Sequence, residues 1–260
     1  MNLLLALHIS NLQLLSFSLF VLLTAFVSYR LKLGLEKSLL IGSLRTYVQL
    51  LAMGFALVYI FRYPNPVISL AVYIWMIFWA ARIISNRIEN PPFPLFKIIF
   101  VTMLVSYLAL NIISLGVFLR ADSWYAPEIF ITIGGMIVGN SMNAVAVSLD
   151  RFFADLKNRR EELEQNLLFG MKIKDAMNDL VRDAIKAGMS PSINNLAGVG
   201  LVFIPGMMTG QILGGEDPLN AAKYQIMIML IICVSTALGS MLVVSQVAKK
   251  CFNKRGQVKF

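Results

Sequence analysis

Seven stretches of this 260-residue chain are apolar enough and long enough to cross a lipid bilayer, and no other feature restricts its fold so severely. They run at about 9–29, 40–61, 66–85, 96–119, 127–149, 194–214 and 222–247. About 20 residues of helix cover a hydrocarbon core of roughly 30 Å. Lipid supplies no hydrogen bonds, so each crossing segment must satisfy its own backbone, which an α-helix does. The apolar residues come in blocks and not in stripes. Composition agrees: 58% of residues are hydrophobic, 14% are charged and the mean hydropathy is +0.72. A soluble domain carries about a quarter charged residues. The expected fold class is therefore all-α, a polytopic membrane protein of about seven transmembrane helices. It is read as a single membrane domain over residues 1–260, with one long connection at 151–193. Pro66 and Pro127 open two of the spans, where a missing amide hydrogen costs nothing.

Charge fixes an expected orientation. Arg62, Arg120 and Lys223 fall on one side of the membrane, and the remaining twenty of the 23 lysines and arginines fall on the other. The basic side holds Arg30, Lys32 and Lys37, then Arg82, Arg87 and Lys97, the long fifth connection, and the C-terminal tail. By the positive-inside rule the N-terminus lies outside and the C-terminus in the cytoplasm. The net charge of +9 is thus explained by topology, and no nucleic-acid partner is expected. The first apolar run has no basic residues before it and no small-residue cleavage signal after it, so it is read as a retained span. Cys233 sits in an apolar block and Cys251 in the basic tail, too far apart to pair and without zinc-site spacing.

No Asp or Glu lies in the middle of a span, and the sole histidine, His8, precedes the first. Ion-coupled transporters usually carry such a group inside the membrane. The spans carry amides instead: Gln49, Asn111, Asn140, Asn143 and Gln211. Asn140 and Asn143 are three residues apart and share a helix face. They serve either as inter-helix hydrogen-bonding groups or as lining of a substrate path. Arg45, one turn before Gln49, is expected to reach to the basic interface. Met136, Met142, Met207 and Met208 are soft ligands or, more commonly, packing filler. Pro205 interrupts the sixth span, and Gly206, Gly210 and Gly214 follow at four-residue spacing. A proline there frees a carbonyl that lipid cannot satisfy, so the segment must face protein or a water-filled cavity. Such interrupted spans often mark a transport site. Candidate pathway residues are Asn140, Asn143, Pro205, Met207, Met208 and Gln211, with no metal ligand assigned. The carboxylates available to a hard cation, Asp122, Glu128, Glu216 and Asp217, lie at the outer side.

In the long connection, Phe152, Leu156, Leu163 and Leu167 keep a helical period until Gly170 interrupts. Ile173, Met177, Leu180, Val181, Ala184 and Ile185 then form one apolar face, and Gly188 with Pro191 is expected to end that helix. Asp175, Asp179 and Asp183 on its polar face argue against lying on anionic lipid and for docking into a cytoplasmic partner. The chain contains no GxxxxGK[ST] phosphate loop.

The stretch from Glu164 to Gly170 resembles the EAAxxxG loop of ABC-importer permeases, with other residues at both alanines. Over nearly its whole length the chain resembles the FetB-type family of ABC permeases, implicated in bacterial iron export and plant aluminium tolerance. The resemblance rests on GGMIVGNSMNAV (Gly134 to Val145), RDAIKA (Arg182 to Ala187), VGLVFIPGMMTGQILGGEDP (Val199 to Pro218) and AAKYQIMI (Ala221 to Ile228). It implies a permease subunit, not itself an enzyme, in a bacterial inner membrane. It also implies a homodimer paired with separately encoded ATP-binding subunits that hold ATP and magnesium. Glu164, Gly170, Lys172 and Lys174 are then the expected coupling residues. The alternative is a secondary transporter or channel acting without an ATPase.

Overall fold

The computed structural model describes residues 10–88, 91–118 and 125–252. Expectations on His8, Arg120, Asp122 and the tail beyond Phe252 lie outside the described residues. Among those described, every regular element is helical. They are α1 (Asn11–Arg30), α2 (Glu36–Arg62), α3 (Pro66–Arg87), α4 (Phe96–Ile113, continued by a π-helical turn Ser114–Phe118), α5 (Pro127–Asn158), α6 (Arg160–Leu168), α7 (Ile173–Ala176), α8 (Asn178–Gly198), α9 (Gly206–Leu213) and α10 (Pro218–Lys250). Six are long and apolar enough to cross a membrane: α1, α2, α3, α4 with its π turn, α5 and α10.

The stretch 194–214, read as a sixth span interrupted at Pro205, is the end of α8, a break at 199–205 and the short α9, so no single helix crosses there. The cause is local. Gly200 takes φ +80°, which L side chains avoid, and Pro205 has no amide hydrogen. The break recovers its hydrogen bonds within itself: Val202 N–H donates to the Gly198 carbonyl (2.8 Å) and Gly200 N–H to the Phe203 carbonyl (2.9 Å). A second expectation also fails. Gly188 and Pro191 do not end α8, which carries Pro191 in its interior and continues to Gly198. Packing against neighbouring helices outweighs the lost amide donor.

The chain forms two compact units, one of residues up to Pro64 with Leu213–Gly215, the other of Asn65–Ile212 with Glu216 onward. In the first, α1 and α2 make an antiparallel hairpin. Lys32 and Gly34, both with positive φ, form its turn, and Leu35 N–H and Glu36 meet the Ser28 hydroxyl at 3.2 Å. Tyr47 ties the helices together, its hydroxyl reaching Ser18 Oγ and the Leu14 carbonyl, each at 2.9 Å. Only Ala25, Ser28 and Ile60 are buried there, so the apolar surface of the hairpin faces outward, as lipid permits.

In the second unit α5 is the central post, packed against α3, α4, α8 and α10. Tyr73, Ile77, Ile99, Met103, Ile137 and Val244 are among the fully buried side chains of its core. Three glycines allow the closest approaches: Gly134 faces Tyr73, Gly188 faces the Ser148 hydroxyl and Ala144 carbonyl, and Gly239 faces the Tyr107 hydroxyl. These are not the glycines whose four-residue spacing stood out. A Cβ on Gly206 or Gly210 would meet nothing within 4 Å among the described residues.

Candidate functional site

Two features of the second unit present polar or irregular structure where a membrane helix would ordinarily be plain. The first is one face of α5. Its other faces are used by α3, α4, α8 and α10, which leaves Thr132, Asn140 and Asn143 exposed along one stripe. Asn140 Nδ2 donates to the Met136 carbonyl one turn earlier (2.8 Å), and Thr132 Oγ1 bonds the Glu128 carbonyl. Asn143 makes no hydrogen bond among the described residues. An amide exposed to hydrocarbon would lose its hydration without compensation, so this face suits water or protein and not lipid.

The second feature is the break and α9. Leu201 and Val202 are 89% and 83% exposed, and no residue of α9 is fully buried. Pro205 is half-buried and its carbonyl accepts the Thr209 amide (3.0 Å). Gln211 is half-buried, and its Oε1 is shielded yet unpartnered. Met207 packs against the same buried core as Met136 and Met142, and Met208 is half-buried beside it. Of the expected pathway residues, Met207 on α9 therefore shares a core with two methionines of α5. No hydrogen bond among the described residues joins Asn140 or Asn143 to Gln211.

Other amides have plainer roles. Asn111 is fully buried and donates to the Phe130 carbonyl (3.2 Å), clamping α4 to α5. Arg45 and Gln49 are exposed on α2. Sequence reasoning missed a hydroxyl seam through α5 and α10, where Ser141 bonds Ser235 (3.0 Å) while Ser148 and Ser240 both crowd Gly188. Its signal is legible in retrospect: Ser141 and Ser148 lie seven apart, on one side of a helix. No group of three His, Cys, Asp or Glu able to hold a metal occurs among the described residues.

The corner between α5 and α8 is built as helix, glycine turn, helix. Phe152, Leu156 and Leu163 are buried, and Gly170 adopts φ +85°, which explains the glycine. Part of the apolar face of α8 is covered by this chain: Met177, Leu180 and Ala184 are buried in its own core, while Val181 and Ile185 are half-buried. What projects instead is the turn itself, with Leu168 87% and Phe169 90% exposed. Glu164 is paired with Arg160 (2.8 Å), Lys172 caps α7, and Lys174 lies within α7. Arg159 grips Glu162 through two bonds of 2.8 Å, and that guanidinium holds the Glu162 carboxyl below the usual carboxylate range.

Six helices of membrane-crossing length, with one further interrupted segment and no strand among the described residues, define an integral membrane protein. Comparison with known proteins agrees. A family model described as uncharacterised protein family UPF0014 matches residues 11–252, and the chain belongs to that family. Among its relatives, the UPF0014 membrane protein slr1647 of Synechocystis is 36% identical over 87% of both chains. The probable iron export permease protein FetB of Escherichia coli is 30% identical over 96% of this chain and 95% of its own. The ALUMINUM SENSITIVE 3 protein of Arabidopsis thaliana is 30% identical over 80% and 75% respectively. No solved structure matches the chain.

Proposed function

We propose that this chain is the permease subunit of an ABC exporter for a metal ion such as iron, or for a metal-related solute. It works as a homodimer in a bacterial inner membrane, with its C-terminus in the cytoplasm. ATP and magnesium belong to a separate subunit, and the chain itself catalyses nothing. The observation that carries the reading is the Leu168–Phe169–Gly170 turn. Two large apolar side chains stand almost fully exposed on a corner whose flanks, Leu163 and Met177, are anchored in the core. An apolar knob on a braced corner transmits a push to α5 and α8, the helices that carry the exposed amides and the break. The name of the Escherichia coli relative supports the cargo.

Replacing Leu168 and Phe169 together by serine tests the reading. Burying each against a partner is worth about 1.5–3 kcal/mol. Loss of both is expected to abolish co-purification of a P-loop subunit while the permease keeps its helicity and thermal stability. Undiminished co-purification counts against the turn as the coupling contact. If no P-loop subunit ever co-purifies and transport follows an ion gradient, the ATP-driven reading itself fails.

A further inference from the structure

A groove runs along the outer side of α8 where that helix meets α10. One part is a cavity of about 590 Å³ lined by Val181, Ile185, Met189, Ile193 and Met241, together with Arg182 and Lys186. The other, about 550 Å³, is lined by Met177, Ala248 and Phe252 together with Lys174 and Lys249. Asn178 and Val181 line both, so the two are continuous. Between residues 178 and 194 the groove follows roughly 24 Å of helix.

Its chemistry is divided along its length. Lys174 and Lys249 line the part where α7 meets the last turns of α10, and Arg182 and Lys186 line the adjoining part along α8. Beyond them the lining is largely apolar, with Met189, Ile193 and Met241. No carboxylate lines either part. Asp183 is drawn to Lys186 (3.6 Å), but Lys174, Arg182 and Lys249 have no ion pair among the described residues. Three arginines between 151 and 160, by contrast, are paired locally: Arg151 with Asp155, Arg159 with Glu162 and Arg160 with Glu164. Asp175, Asp179 and Asp183, the acidic residues that argued against lipid in the sequence, are not among the lining residues of either part.

Depth selects the occupant. Lys249 follows the last apolar turn of a membrane-crossing helix, Val243 to Ala248, which places it at headgroup level. The apolar floor continues from there along α8 toward Gly188 and Ser240, inside the bundle's crossing region. A soluble peptide would have to enter the bilayer to reach that floor. We propose that the groove is a binding site for an anionic glycerophospholipid, its phosphate held by Lys174, Arg182 and Lys249 and one acyl chain lying on Val181, Ile185 and Met189.

The protein is reconstituted in vesicles of equal parts phosphatidylglycerol and phosphatidylethanolamine and re-extracted in mild detergent, and retained lipid is counted by mass spectrometry. Preferential retention of phosphatidylglycerol is expected, falling about five-fold for each charge removed in Arg182→Gln and Lys249→Gln. Both side chains are exposed, so folding is not at stake. Met189→Trp fills the apolar floor without touching the cations and is expected to lower retention as well. Equal retention of the two lipids overturns the proposal, as does unchanged retention in the double charge variant. Release of the lipid by inorganic phosphate alone also overturns it, because the site would then serve a soluble anion. So would a co-purifying protein shown by cross-linking to fill the groove.

Discussion

Close approach in this bundle is decided at single atoms. A Cβ at Gly188 would overlap the Ser148 hydroxyl and press on the Ala144 carbonyl, and one at Gly239 would overlap the Tyr107 hydroxyl. Gly188→Ala is therefore expected to destabilise the second unit by about 1–3 kcal/mol, the usual cost of overpacking. Thermal unfolding in detergent measures it, and adding Ser148→Ala recovers part of the loss by relieving the nearer clash. Gly206→Ala and Gly210→Ala meet no atom of another part of the described residues, and each is expected to change monomer stability by less than about 0.5 kcal/mol. If the proposed homodimer uses the α9 glycines, those same two variants weaken its association instead, which analytical ultracentrifugation in detergent detects. Sequence spacing pointed to the second pair and not the first. Glycine spacing says where a helix is smooth, but not which neighbour arrives there.

Among the elements, α6 and the turn after it combine rigidity with exposure. The Arg159–Glu162 pair fixes the corner between α5 and α6, and Glu162 titrates below the ordinary glutamate range because Arg159 bonds its charged form. A carboxylate with a depressed folded-state pKa contributes stability above its unfolded pKa of about 4.3 and loses it as pH falls through the folded value. Amide protection in 160–168, corrected for the intrinsic pH dependence of exchange, is expected to fall slightly on acidification below that range. Glu162→Gln removes this pH dependence and shows the lower protection throughout. Farther along, Gly170 at φ +85° is irreplaceable by a residue with a side chain without strain. Gly170→Ala is expected to cost about 1 kcal/mol and to blunt coupling more than it lowers expression. The sequence revealed this corner well, since Gly170 breaks a clear helical period. It gave no sign that Leu180 and Ala184 on the apolar face of α8 would be buried within the same chain. Amphipathicity identifies a face that must be covered; whether the cover is the same chain depends on where the chain returns.

For the molecule as a whole, the exposed stripe of α5 is the feature that a lipid-bathed monomer least tolerates. In the proposed transporter it lines the path or meets a second copy. Asn143→Cys, with Cys233 and Cys251 replaced, is expected to react with a membrane-impermeant thiol reagent if the stripe is wetted. Protection from it, together with a disulfide between two copies, marks a dimer seam, and protection without cross-linking shows a face turned to lipid. What the sequence determined alone was the solvent and the secondary structure. Blocks of some twenty apolar residues admit only helices in a bilayer, and Pro205 with its glycines announced that one segment would not run straight. The tertiary structure decided the rest: that α8 passes through Pro191, that Gly188 and Gly239 are the contact glycines, and that the cations of α7, α8 and α10 share one groove. The glycine contacts depend on residues 40 to 132 positions apart in the chain coming within a few ångströms. Local pattern fixes the period of a helix, whereas only the packed bundle fixes which of its faces find partners.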